Sequence, residues 1–271
     1  MGLSLNTNVG AFVALQHLTK TTQQLEQTQL RITTGLRVNG PKDDGANYAI
    51  SQKIKGDIAG TESVKLALAN GDTIVNTAIS AGKSIADLLT EMKGKTVQAN
   101  QAGLDSASRT ALNNDFVALR DQLTTIVETA AFHDTNLITS QAANLTVLST
   151  VDVITISISA QALDTETLGI STAVLNTSTG AANALTAINS AIVQVSDKLA
   201  ALGSSAKRIE VQSGFTQQLI DILKEGLGNL VDADLAEESA SLQALQIKQQ
   251  LGVQALAIAN AGPQSILRLF Q

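Results

Sequence analysis

The chain has 271 residues, no Cys and a net charge of −6, enough length for one large domain or two ordinary ones. The missing thiols exclude disulfides, thiol catalysis and Cys-based metal sites, and the negative charge argues against phosphate-backbone binding as a main activity. Hydrophobic residues make up 44% but aromatics only 2%, with Tyr48 the single tyrosine; this favours long helices packed on small side chains over an aromatic-walled ligand pocket.

The opening stretch MGLSLNTNVGAFVALQHLTK has no basic run followed by a continuous apolar run, so a conventional cleaved signal is not expected. No segment approaches the roughly 18 apolar residues of a membrane span. The chain is expected to be soluble, and any export would use a route that reads no cleaved signal. Pro41 and Pro263 are the only prolines, which permits several long helices between them. Leu18, Leu25 and Ile32 are spaced by seven, with Leu15 and Leu36 beside that seam, which predicts a first helix.

The tract RITTGLRVNGPKDDGANYAIS follows, from Arg31 to Ser51. Gly35, Gly40 and Lys42 nearly reproduce a phosphate-cradling loop, but such a loop needs a strand feeding it and no acidic pair where phosphates would sit. Here a helical pattern precedes it, and Asp43 and Asp44 follow. The tract therefore reads as a helix stop at Gly35, a linker bent at Gly40–Pro41, and a new helix capped by Asp43 or Asp44.

Further helical stripes come from Ile85, Leu88, Leu89 and Met92, and from Leu112, Phe116, Leu119, Leu123 and Ile126. In the middle, Asn144 to Ala160 alternates Ile154, Ile156 and Ile158 with Thr155, Ser157 and Ser159, which predicts a half-buried strand paired in a hairpin with Leu145 to Leu148. Asn-Leu-Thr at 144–146 matches the N-glycosylation acceptor, a weak pattern. Helical stripes resume with Ile192, Val195, Leu199 and Leu202, then Leu219, Ile222, Leu223 and Leu230. Leu235, Leu242 and Leu256 share a heptad register interrupted by Gln249. The two terminal arms have narrow apolar seams, and isolated helix pairs of that kind are marginal in water. They are expected to be poorly ordered alone and to fold against each other and against other copies.

No constellation for catalysis emerges. His17 and His133 are isolated, and no G-x-S-x-G or H-E-x-x-H occurs. The run DADLAEE, Asp232 to Glu238, lacks the ligand spacing of a calcium loop and fits an acidic cap of the last helix. The expectation is a mainly α protein with a small β-hairpin, no enzymatic activity, no cofactor, no metal, no nucleic-acid partner and no membrane insertion.

These motifs carry a resemblance. SLNTN, Ser4 to Asn8, resembles the Ser-Ile-Asn-Thr-Asn opening of bacterial flagellins. Arg31, Gly35, Leu36, Arg37, Asn39, Lys42, Asp43, Asp44, Ala46, Ala49, Ile50 and Ser51 match that family's signature tract residue by residue. FHDTNLI, VDADLAEE and ANAGPQSILRLF are similar to its other marked stretches. Pro41 and Gly45 replace alanines of the signature. The resemblance implies a short flagellin of core domains only. Residues 1–45 and 228–271 would be the arms of an inner coiled coil, and 46–227 a helical rod domain with a β-hairpin region at about 137–175.

It also implies a structural subunit of the flagellar filament. Such a subunit is exported unfolded to the cell exterior and assembles into a helical polymer that acts as the swimming propeller. Its partners would be other flagellin copies, alone or mixed with related flagellins, together with an export chaperone and the hook–filament junction and cap proteins. The assembly interface is expected to draw on Leu15, Leu18, Leu25, Arg31, Ile32, Arg37, Lys42, Asp43, Asp44, Asp232, Asp234, Leu235, Leu242, Leu245, Leu256, Ile266 and Leu269. The charged residues among them are candidates for ion pairs between stacked subunits. Thr90 to Gln98 departs from the stretch that an animal Toll-like receptor recognises in many flagellins, which implies weak or no activation of that receptor. Two rivals remain: a hook–filament junction protein with similar arms, and a helical adaptor that never polymerises.

Overall fold

The computed structural model describes residues 7–267, with side chains described as far as residue 261. Its elements are α1 (Val9–Thr34), α2 (Gly45–Ala99), α3 (Ser106–Thr129), β1 (Ala131–Phe132), β2 (Thr135–Asn136), β3 (Leu145–Leu148), β4 (Thr155–Ile158), α4 (Ser178–Val231) and α5 (Leu235–Leu267). They fall into two compact units, Met1–Gly56 with Ile222–Gln271, and Asp57–Asp221.

The first unit is built on α1 and α5. Asn8 caps α1, its side chain accepting from the Ala11 amide at 3.0 Å, and its Nδ2 reaches across to the Ala259 carbonyl at 2.7 Å. Gln249 Nε2 lies 3.4 Å from Thr22 Oγ1, and Arg31 pairs with Glu238 further along. The contacts run in opposite sequence directions, so the helices are antiparallel. Leu25, Thr28 and Leu245 are buried in the seam, with Leu18, Ile32, Leu242 and Leu256 half-buried. Gly252 permits the close approach, because a Cβ there would sit 3.2 Å from Leu18 Cδ1.

The second unit has one core. Buried residues of α2 recur at Val64, Leu68, Gly71, Val75, Ala78, Gly82, Ile85, Leu89, Met92, Thr96 and Ala99. That alternation of three and four is the heptad spacing of a helix with one continuous apolar seam. Phe116, Leu123 and Val127 of α3, and Ala181 to Ile209 on one face of α4, complete the same cluster. Asp105 caps α3. The Arg109 guanidinium donates to the carbonyls of Ala99, Gln101 and Leu104 at 2.9–3.0 Å, satisfying acceptors around the end of α2 that the helix itself leaves open.

Two small hairpins lie on this core. β1 and β2 pair around His133 and Asp134, both at positive φ, 46° and 59°, as a two-residue primed turn requires. β3 and β4 are antiparallel with Leu145 opposite Ile158 and Leu148 opposite Thr155, as the alternation predicts. Ile156 and Ile158 point inward, whereas Ile154 is 60% exposed. The reason is the turn. Ile154 precedes β4, its carbonyl accepts from Ser149 N at 2.8 Å, and Val153 before it is at φ 64°, so the inward phase begins only at Ile156. Among the described residues, no helix is long and apolar enough to cross a membrane.

Candidate functional site

The tract that imitates a phosphate loop follows a helix, not a strand. Gly35, at φ 71°, ends α1, a left-handed conformation that glycine adopts without a Cβ penalty. Its amide donates to the Arg31 carbonyl at 2.8 Å. The chain then meets a segment nearly 200 residues later. Leu36 and Asp232 form an antiparallel bridge, the amides of Arg37 and Val38 donate to the Val231 carbonyl at 2.7 and 3.2 Å, and the Ala233 amide donates to the Gly35 carbonyl at 2.9 Å. Arg37 Nη2 adds a bond to the Leu230 carbonyl at 2.8 Å. Val38 and Val231 are buried beneath this stitch. The α1–α2 and α4–α5 connections are thus one joint.

Asp43, Asp44 and Asp234 each have a defined task within the chain. Asp43 Oδ2 accepts from the amides of Asn39 and Gly40, both at 3.0 Å. Asp44 caps α2, accepting from the Asn47 amide at 3.0 Å. That backbone bond, with lesser help from the Asn47 side chain, the Ala46 amide and Arg37, holds its carboxyl below the ordinary 3.8 against an opposing desolvation. Asp234 caps α5 through the amides of Ala236 and Glu237 at 2.9 and 3.2 Å. Gly228 leaves room for Asp232, since a Cβ there would lie 2.7 Å from Asp232 Oδ2. Arg31 Nη1 meets Glu238 Oε1 at 2.9 Å, while Arg31 Nε is buried without a hydrogen-bond partner. Lys42 is exposed.

The structure therefore brings Arg31, Arg37, Asp43, Asp44, Asp232 and Asp234 to one joint, engaged with their own chain. Leu18, Leu25, Ile32, Leu242, Leu245 and Leu256 line the α1–α5 seam. Leu15 and Leu235 do not join it and are 49% and 51% exposed. Ile266 and Leu269 lie outside the residues whose side chains are described. Glu238 as the Arg31 partner and the Leu230 and Val231 carbonyls as Arg37 and Val38 partners carried no sequence signal, apart from the charge complementarity of Arg31 with the acidic run.

Beside the seam α1 and α5 expose apolar side chains, including Phe12 at 63%, Ile247 at 59% and Ile258 at 74%. A shallow polar depression lined by Gln24, Gln27, Arg31, Glu237, Ser241 and Lys248 lies along the same two helices. Among the described residues no group of three His, Asp or Glu side chains could hold a metal. What the arrangement offers is surface.

The N-terminal helical region of bacterial flagellin matches residues 5–143 and the C-terminal helical region matches residues 185–270. Flagellin FljM of Caulobacter vibrioides is 40% identical over 269 residues, 99% of this chain and 98% of that protein. Flagellin C of Rhizobium meliloti is 32% identical over 321 residues, 99% of each. Among solved structures, Bacillus cereus flagellin superposes with a TM-score of 0.50 at 21% identity, over 54% of this chain and 86% of that one. A structure assigned as a flagellar hook-associated protein of Vibrio parahaemolyticus gives 0.59 at 12% identity, over 70% and 100%; at such identity the likeness concerns the fold alone. Both matched regions contain half of the joint, and the stretch between them, 144–184, carries β3 and β4.

Proposed function

Because this chain belongs to the bacterial flagellins, a family of structural proteins that assemble into the flagellar filament, we propose that its terminal helices and their joint are the surfaces through which each copy engages its neighbours. The chain is a filament subunit and not an enzyme. The supporting observation is the mismatch between seam and surface: α1 and α5 bury Leu25, Thr28 and Leu245 against each other, yet leave Phe12, Leu15, Leu235 and Ile258 in solvent. Apolar patches of that kind on an extended helix pair favour association.

Contacts between unlike patches on identical copies generate an open helix when the rotation does not close. In this reading 1–45 and 228–271 act as the inner assembly arms and 46–227 as the outer helical part. Leu15 and Leu235 face a neighbouring copy. Lys42, exposed at the joint, is placed to reach one. Ile266 and Leu269, outside the residues whose side chains are described, belong to the same proposed interface. Export to the cell exterior before folding, an export chaperone, and contacts with junction and cap proteins belong to the same proposal. So does weak or no activation of the Toll-like receptor, since Thr90–Gln98 has Glu91, Gly94 and Lys95 in place of the recognised residues.

Purified chain mixed with filament seeds or ammonium sulfate and viewed by negative-stain microscopy tests the assembly. Long helical filaments are expected, and persistent monomers at high concentration would overturn it.

A further inference from the structure

Asparagine followed by glycine is the sequence most prone to spontaneous deamidation, because the next residue's amide nitrogen can attack the side-chain carbonyl without a Cβ in the way. The chain contains two such pairs, Asn39–Gly40 and Asn70–Gly71, and the structure treats them differently. Asn39 is exposed in the linker between α1 and α2, outside any helix. Apart from its two chain neighbours, nothing lies within 4 Å of the space beside Gly40 where a side chain would be. Its amide points at a carboxylate, with Asp43 Oδ2 at 3.0 Å. Asn70 and Gly71 lie deep within α2, where Gly71 is buried. There the helix commits the Gly71 amide to the carbonyl one turn earlier and prevents it from turning toward the Asn70 side chain.

We propose that Asn39 is a self-modification site, converted to aspartate and isoaspartate by attack of the Gly40 amide with Asp43 as proton acceptor. The Gly40 nitrogen forms a bond to Asn39 Cγ and gives up its proton to the Asp43 carboxylate. The Cγ–Nδ2 bond breaks, and the nitrogen leaves as ammonia after taking a proton back from Asp43. Water then opens the five-membered imide. Attack at the side-chain carbonyl yields aspartate; attack at the backbone carbonyl yields isoaspartate. No oxidant, metal or enzyme enters.

The location gives the reaction a consequence. The amides of Asn39 and Gly40 share one oxygen of Asp43, and the new carboxylate appears beside it. Isoaspartate also lengthens the backbone by one methylene, next to residues 35–38 that are stitched to 231–233. Both changes loosen the linker at the joint.

Peptide mapping tests this on the intact full-length chain, held at mildly alkaline pH and sampled over days. Trypsin releases Val38–Lys42 and Leu66–Lys83, and mass spectrometry counts conversion in each, with isoaspartate resolved by retention time. Asn39 is expected to convert several-fold faster than Asn70; equal or slower conversion would overturn the assignment. Asp43→Ser keeps an acceptor but removes the base, so conversion at Asn39 should slow while circular dichroism stays unchanged. An unchanged or faster rate in that variant would remove Asp43 from the mechanism, and the unmodified chain alone still decides whether Asn39 is the site.

Discussion

Arg31 Nη1 and Glu238 Oε1 meet at 2.9 Å across 207 positions of sequence, with side chains only 30% and 13% exposed. The pair locks α1 to the first turn of α5, beside the joint. A partly buried charged pair loses more on truncation than an exposed one, because its partner keeps a desolvated charge. Arg31→Ala is expected to lower the stability of the α1–α5 unit by about 1–3 kcal/mol. Chemical denaturation followed by circular dichroism reads this, and a change confined to a few tenths would show the pair to be ornamental.

Gly71 makes a notch for β3. A Cβ there would lie 2.5 Å from Val147 Cγ2 and 3.0 Å from Cγ1. Gly71→Ala gains about 1 kcal/mol of helix propensity, but overpacking against buried Val147 costs about 1–3 kcal/mol, so a lower melting temperature is expected. Adding Val147→Ala should recover part of the loss through the same contact. Gly94, in the same helix with open space beside it, is the control: Gly94→Ala should stabilise by about 0.5–1 kcal/mol.

Seam and surface leucines separate folding from assembly. Leu15→Asp and Leu235→Asp change positions that are half exposed in the monomer, so monomer melting should move little while polymerisation is lost. Leu242→Asp and Leu256→Asp place a charge in the half-buried seam, where desolvation is costly, and should abolish filaments together with α1–α5 stability. Seeded assembly watched by light scattering, with monomer melts in parallel, distinguishes the two classes. Normal filaments from all four would mean that the arms are not the interface.

Acid should loosen the helix starts. The Ser108 side chain and amide hold the Asp105 carboxyl below its ordinary 3.8, and the Asn47 amide does the same for Asp44. A carboxylate with a lowered folded value contributes stability above the unfolded value and loses it as pH falls through the folded one. The contribution of both caps is therefore complete above about pH 4 and disappears below it. Asp105→Asn and Asp44→Asn should flatten stability against pH in that acid range. A steep acid transition that survives both substitutions would place its cause elsewhere.

Much of this architecture is legible along the chain because it depends on local chemistry. Gly35 stops α1 since a left-handed residue needs no Cβ, Asp44 and Asp234 cap helices because their carboxylates reach amides two or three residues ahead, and Ile156 and Ile158 face inward because strand side chains alternate. The stripes Ile85–Met92 and Leu112–Ile126 follow from 3.6 residues per turn, and the family likeness rests on the same local stretches.

Periodicity, however, defines a face without saying what meets it. Leu235 shares the heptad register of Leu242 yet is 51% exposed, whereas Leu242 is half-buried. Ile222 belongs to the stripe of Leu219 and Leu223 yet is 65% exposed, while neighbouring Ile220 is buried. Nothing local marks Gly71 as a seat for Val147, or Gly82 as one for Leu199 Cδ2, which would lie 2.7 Å from an added Cβ. Nor does it mark the Leu230 carbonyl as the acceptor for Arg37. Local spacing and capping chemistry suffice for the helical stripes, the stop at Gly35, the caps at Asp44 and Asp234, the β3–β4 hairpin and the family. Tertiary structure alone decided which glycines are notches and which charges close the joint, because both depend on distances between segments remote in sequence.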